Sequence, residues 1–244
     1  MLKYKKDRIM DKEYRKTMLE AIKARHSVRR YQYKPIEQDK VVLLQEKIKQ
    51  LNDESHLHIQ LVLNEPKGFS GFFAYGTFSG VSNYFIMAGE DDKTFDERVG
   101  YYGEQLVLYA QSIGLNTCWA GLSYRKVKGT YELNKGEKIA CYIALGYGET
   151  QGSSHKIKSP GDVSNVSAST PDWFLAGVEA ALLAPTAVNQ QKFTFEYVPP
   201  VNAESRATVI GKAGFSIFGY TKMDLGIAKY HFEVGAGPEN FTME

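Results

Sequence analysis

Between residues 25 and 30 the chain reads Arg-His-Ser-Val-Arg-Arg, which sets two guanidinium groups and a hydroxyl at the alternate positions Arg25, Ser27 and Arg29. That set suits a phosphate. Ser27 is short enough to approach one oxygen closely, and Arg25 can grip the group through two parallel N–H bonds. Arg29 could then address another part of the same ligand. A basic cluster at a helix end is also often a solvated cap favoured by the helix dipole, and the six residues alone do not separate the two readings. Two further stretches carry polar groups beside apolar walls: Gly114-Leu115-Asn116-Thr117-Cys118-Trp119-Ala120-Gly121-Leu122 and, far downstream, Ala184-Pro185-Thr186-Ala187-Val188-Asn189-Gln190-Gln191.

A phosphorylated flavin, FMN, requires cations and hydroxyls for its phosphate, a donor near the N1/O2 edge of its ring, and polar groups with apolar walls around the ring. The three stretches could supply these. Arg25 to Tyr31 resembles the Arg-x-Ser-x-Arg-x-aromatic signature of the FMN-dependent nitroreductase family, and residues 184 to 191 resemble its Ala-Pro-Ser-x-x-Asn-x-Gln motif. Residues 114 to 122 are similar to the segment that, in that family, runs beneath the flavin ring, and Tyr142 to Gly148 to the strand that follows. Each motif is degenerate; three in one chain are specific.

The resemblance implies a cofactor site made of Arg25, His26, Ser27, Arg29, Trp119, Ala120, Gly121, Leu122, Pro185, Thr186, Ala187, Asn189 and Gln190. The backbone of Gly121 and Leu122 would lie near flavin N5. Lys156 and Lys158 match the family's late basic pair with lysine for arginine, which keeps charge but loses the bidentate fork; a charge run in such a loop is also commonly just solvated. Gly76, Thr77 and Phe78 could line the ring edge or form an ordinary surface loop. His26 could lie along the flavin or contribute only backbone.

The order of motifs departs from the usual family. There the Pro-Ser motif follows the arginine motif closely, and each flavin lies between two subunits. Here it comes late, and Asn52-Asp53-Glu54-Ser55 stands in the early place. One chain would then act as a pseudo-dimer, with a lobe at 1–165 carrying the arginine motif and a lobe at 166–244 completing a single site. The second, symmetry-related site would lack its cations. Further oligomerisation is left open.

The elements that must position these residues follow from periodicity. Helices are expected at 12–24, 37–51, 94–113, 172–183 and 224–234, and strands at 56–63, 84–88, 139–145 and 193–197. Gly114 should stop the third helix. Residues 148–172 read as a long irregular connection. The expected fold is α+β and nitroreductase-like: a central, mainly antiparallel sheet flanked by helices.

At 244 residues, 43% of them hydrophobic and 24% charged, the chain can close a core without staples. A net charge of +2 does not argue for nucleic acid or a membrane surface as partner. Cys118 and Cys141 lack ligand spacing and read as buried thiols, so no metal site is implied. Cytoplasmic residence is the expectation. His56 and His58 should face solvent, and His231 should be a packing or surface residue unless it takes a cofactor-side role. Under the resemblance the chain is an oxidoreductase that passes hydride from NADH or NADPH through FMN to a small electron-poor acceptor such as a nitroaromatic or quinone. The alternatives are a flavin-binding module for storage, sensing or delivery, and a related flavin fold with other chemistry.

Overall fold

The computed structural model describes residues 10–70, 77–202 and 204–244. In chain order the elements are α1 (Lys12–Ala24), α2 (Gln38–Ser55), β1 (Gln60–Val62), β2 (Asn83–Glu90), α3 (Phe95–Ser112), β3 (Asn116–Ala120), β4 (Glu137–Gly146), α4 (Pro160–Val163), α5 (Asp172–Leu182), β5 (Phe193–Val198), β6 (Ala207–Ala213), α6 (Thr221–Ala236) and β7 (Phe241–Met243). They group into two compact units. Unit 1 comprises Met1–Lys23, Asp96–Glu104 and His155–Glu244, and unit 2 comprises Ala24–Phe95 and Gln105–Ser154. Neither unit is contiguous in sequence.

Unit 2 is built on an antiparallel sheet of order β1-β2-β4-β3. Tyr84, Ile86, Tyr142, Ala144, Cys118 and Ala120 belong to one buried apolar cluster. Within it Tyr142 is stacked between Tyr84 and Tyr124, at ring-centroid distances of 5.0 and 4.1 Å. Unit 1 carries the smaller sheet β5-β6-β7, antiparallel between β5 and β6 and parallel between β6 and β7. Helix α6 packs on it, with Phe232 stacked on Phe195 at 4.6 Å.

Four expectations need correction. Helix α2 runs to Ser55, so Asn52 to Ser55 are helical; His56 ends the helix in a left-handed conformation, its N–H bonded to the Asn52 carbonyl. The strand expected at 56–63 shrinks to Gln60–Val62, because the Asn52 side chain takes both the N–H (2.8 Å) and the carbonyl (3.0 Å) of Ile59. The stretch 148–172 is not wholly irregular: α4 forms behind Ser159, whose N–H and hydroxyl both donate to Asp162. His58 is not simply solvated but sits 2.8 Å from Glu137. Burial there raises the Glu137 pKa, and bonds from His58 and Asn134 outweigh it, for a net lowering. Gly114 does follow α3 with φ +82°, and both cysteines are buried thiols outside any disulfide. Among the described residues no helix is long and apolar enough to cross a membrane.

Helix α6 is the organising element of unit 1, because every residue from Met223 to Ala236 is buried. It approaches α3 so closely that a Cβ at Gly226 would fall on the Glu97 carbonyl, and one at Gly100 on the Met223 carbonyl. On α5, a Cβ at Gly235 would lie 2.6 Å from the Ala176 carbonyl oxygen. Backbone cannot yield as a side-chain tip can. Gly226→Ala should therefore cost about 3 kcal/mol of stability in urea unfolding, whereas Gly161→Ala, with nothing within 4 Å of the added carbon, should stay within about 0.5 kcal/mol of the parent.

Candidate functional site

In unit 2 the segment after α1 is held extended by main-chain bonds on both sides. Val28 N–H donates to Thr117 (3.1 Å), Ser79 N–H to Arg29 (2.9 Å), Tyr31 N–H to Ser79 (3.0 Å) and Glu149 N–H to Arg30 (2.9 Å). Val28 and Tyr31 anchor it in the core. Gly152 lies against His26, where an added Cβ would meet the His26 Cβ at 2.8 Å.

Held this way, Arg25, Ser27 and Arg29 alternate along an extended segment that bridges to β3 at Thr117. Burial pushes the Cys118 thiol up, while the Arg29 charge, a hydrogen bond with Ser27 and the Arg25 charge pull it back. Two cations and a hydroxyl thus act on one sulfur at the centre of β3. Arg25 is only 3% exposed, which rules out the solvated-cap reading for it; Arg29 and Arg30 are exposed. Trp119 and Gly121 are half-buried and Ala120 is buried, while the Leu122 side chain is 76% exposed. Thr77 is exposed and Phe78 packs on Phe69. Gly76 lies outside the described residues.

In unit 1 the structure brings Lys156 and Lys158 together with residues 186–191. The residue that does this is Gln191, which belongs to the motif but was not singled out as a site residue. It is buried, its side-chain oxygen accepts from Lys158 N–H (2.9 Å), and its amide donates to the Lys156 carbonyl (2.8 Å) and to Asn189 Oδ1 (2.9 Å). Its carbonyl takes the Lys158 ammonium at 2.8 Å, and its own N–H donates to Thr186 Oγ1 at 3.1 Å. Lys158 is therefore a loop brace rather than a solvated charge. Lys156 and Asn189 are exposed; Pro185, Thr186, Ala187 and Gln190 are half-buried.

The loop is wound tightly. Val188, Asn189 and Gln191 have φ of 48°, 54° and 45°, a left-handed conformation that costs an L-residue about 1–2 kcal/mol and is least tolerated by β-branched valine. Such strain persists only where neighbours over-determine it. Here they include Asp224 of α6, which accepts from Ala187 N–H (3.0 Å) and Gln190 Nε2 (2.7 Å). Burial lifts the Asp224 pKa to about 6 against the opposing pull of those two donors. His231 lies away from the loop: it is buried with Nδ1 on the Ala180 carbonyl (3.0 Å) and Nε2 on Glu104 (2.8 Å), the packing role expected of it. Among the described residues no cluster of His, Cys, Asp or Glu could hold a metal ion.

The family model described as "Putative TM nitroreductase" matches residues 17–236, a span that contains all three motif segments. The chain belongs to that nitroreductase family. Among solved structures it is similar to a "putative nitroreductase" from Thermotoga maritima, with 20% identity over 94% of this chain and 88% of that one and a TM-score of 0.58. It is also similar to an FMN-dependent nitroreductase from Clostridium difficile, at 14% identity over 59% of this chain and 94% of that one, with a TM-score of 0.43. None of the curated proteins matches. The Thermotoga likeness carries the fold: this nitroreductase-family chain is α+β, with an antiparallel sheet flanked by helices, as the sequence led one to expect.

An FMN phosphate fits the chemistry of Arg25 and Ser27, a buried guanidinium and a hydroxyl on the segment bridged to β3 at Thr117. The brace in unit 1 can be checked without any ligand. Gln191→Ala leaves the Lys158 N–H without its partner and the Lys156 carbonyl with only the Asn189 amide, so it should lower stability in urea unfolding by about 1–3 kcal/mol.

Proposed function

We propose that the chain is a flavin-dependent oxidoreductase that binds one FMN and carries reducing equivalents from NADH or NADPH to a nitroaromatic, a quinone or another small electron-poor acceptor. The observation that carries this reading is the extended segment that bears Arg25, Ser27 and Arg29, fixed against β3 with Arg25 buried. Ser27 pairs with Thr117, and an extended strand advances ~3.3 Å per residue, so Gly121 lies about 13 Å further along. That separation leaves room for the chain that joins a flavin's phosphate to its ring.

In this reading Arg25 and Ser27 hold the phosphate, and Arg29 sets positive charge toward the N1/O2 edge. The Gly121 and Leu122 N–H groups face N5, and Trp119, Ala120 and the exposed Leu122 side chain form apolar surface at the ring. Thr77 and His26 line its edge. The family resemblance assigns Pro185, Thr186, Ala187, Asn189 and Gln190 to the same cofactor, the arrangement of a pseudo-dimer in one chain. Lys158 keeps two N–H donors beyond its bond to Gln191, Lys156 is exposed, and the family resemblance assigns this pair to the phosphate. Bound flavin supplies the hydride chemistry at N5; the protein needs no nucleophile or metal of its own.

Titration of the purified chain with FMN should give a yellow protein with one flavin per chain. NADH or NADPH should bleach it in stopped flow, and a nitroaromatic or quinone should restore the colour. Arg25→Ala and Ser27→Ala should each weaken flavin retention roughly tenfold or more, the size of a lost charge-assisted bond. A colourless protein that takes up no FMN overturns the reading, and flavin uptake without reduction by either nicotinamide reduces it to a binding module.

A further inference from the structure

Two loops of unit 1 meet at one buried carboxylate. Asp224 is 3% exposed. One of its oxygens accepts the Ala187 N–H and the other the Gln190 amide, and that same amide donates to the Gly219 carbonyl at 3.1 Å. Gly219 closes the loop between β6 and α6, and Gly214, at its other end, donates its N–H to Lys192 (2.7 Å). The 184–191 loop, with three left-handed non-glycine residues, is thus fastened to the first turn of α6, and the neighbouring loop is fastened with it.

We propose that Asp224 is the positioning residue of the 184–191 loop: its ionised carboxylate holds Ala187 and Gln190 and so keeps the loop in the shape that meets the flavin. This rests on the functional reading above. The bonding pattern favours the carboxylate form. Each oxygen already faces an N–H donor, so a proton on either sets a donor against a donor and weakens one of the two bonds.

Burial opposes ionisation and raises the Asp224 pKa to about 6, so the clasp should be made above that pH and lost as pH falls through it. The other charged groups on the packed elements are committed elsewhere or turned outward. Glu97 of α3, which crosses α6 at Gly226, pairs with Lys229 at 2.8 Å. Arg98, also of α3, is buried and makes its own interactions. Lys158 is on the Gln191 carbonyl, and Lys222 is exposed. None of them contributes to the Asp224 shift, which is set by burial and its two donors.

The test compares wild type with Asp224→Asn, nearly isosteric but unable to accept on both sides. FMN affinity is measured by flavin fluorescence from pH 5 to 7.5, and amide hydrogen exchange over 184–191 is measured in flavin-free protein. Wild type should bind at least tenfold tighter than the variant at pH 7.5. That ratio should shrink toward one at pH 5, with a midpoint near 6; titration of the flavin phosphate is common to both proteins and cancels. The 184–191 peptide should exchange faster in the variant at pH 7.5, and in wild type it should lose protection as pH falls. An affinity ratio independent of pH, or equal exchange in the two proteins, overturns the proposal. Wild type that binds no FMN at any pH overturns the functional reading instead, while exchange still decides whether Asp224 fastens the loop.

Discussion

A buried helix segment cannot carry a bare charge, and the buried part of α6, Met223 to Ala236, holds four acidic or basic residues. Each is met. Asp224 takes the Ala187 N–H and the Gln190 amide, Lys229 meets Glu97 at 2.8 Å, His231 meets Glu104 at 2.8 Å, and Glu233 accepts the Tyr101 hydroxyl at 2.6 Å. Three of these partners, Glu97, Tyr101 and Glu104, lie on one face of α3 at helical spacing. Unpaired, any of them would cost several kcal/mol. Pairing requires the helices to come close, which the glycines allow. At the far end Arg15 caps α6, donating to the carbonyls of Val234 and Gly235 at 2.8 and 2.7 Å, where a cation also complements the helix dipole.

The fourth residue, Asp224, differs from the other three in its partner. Asp224 is satisfied by a loop rather than a helix, and that loop carries the Pro-Thr-Ala-Val-Asn-Gln motif. Its strained backbone is braced on one side by α6 and on the other by Gln191 and Lys158. In unit 2 the arginine motif is held by a different device, main-chain bonding to β3, Ser79 and the 147–149 segment. Both motif segments lack regular secondary structure of any length, and both are nonetheless fixed by hydrogen bonds to elements that have it. Preorganisation of this kind lets a site bind an anion without first ordering its own chain.

Much of this was legible in the residues themselves. Helices α1, α3 and α5 announce themselves by apolar periodicity, and Gly114 by its place after Ile113. The arginine motif and the Pro-Thr loop were legible by resemblance. Strand β3 was not read as a strand, since Asn-Thr-Cys-Trp-Ala is buried along nearly its whole length and shows no alternation. Strands β6 and β7 escaped because β7 spans three residues and pairs in parallel with a distant partner. Gln191 and Asp224 have no local signature at all; their roles exist only once Lys156, Lys158, Ala187 and Gln190 stand around them. Helix α2 runs four residues past its expected end at 51, to a left-handed cap at His56, because the apolar stripe that marks a helix stops at Leu51 while the backbone hydrogen bonding does not.

The central claim is that the two motif segments serve one flavin. A crystal structure of the chain loaded with FMN tests it most directly. The account predicts one flavin per chain, its phosphate on Arg25 and Ser27 and its ring beside Gly121 and Leu122, with residues 185–190 in contact with the same molecule. A flavin held without Arg25 and Ser27, or one that residues 185–190 do not touch, would contradict it.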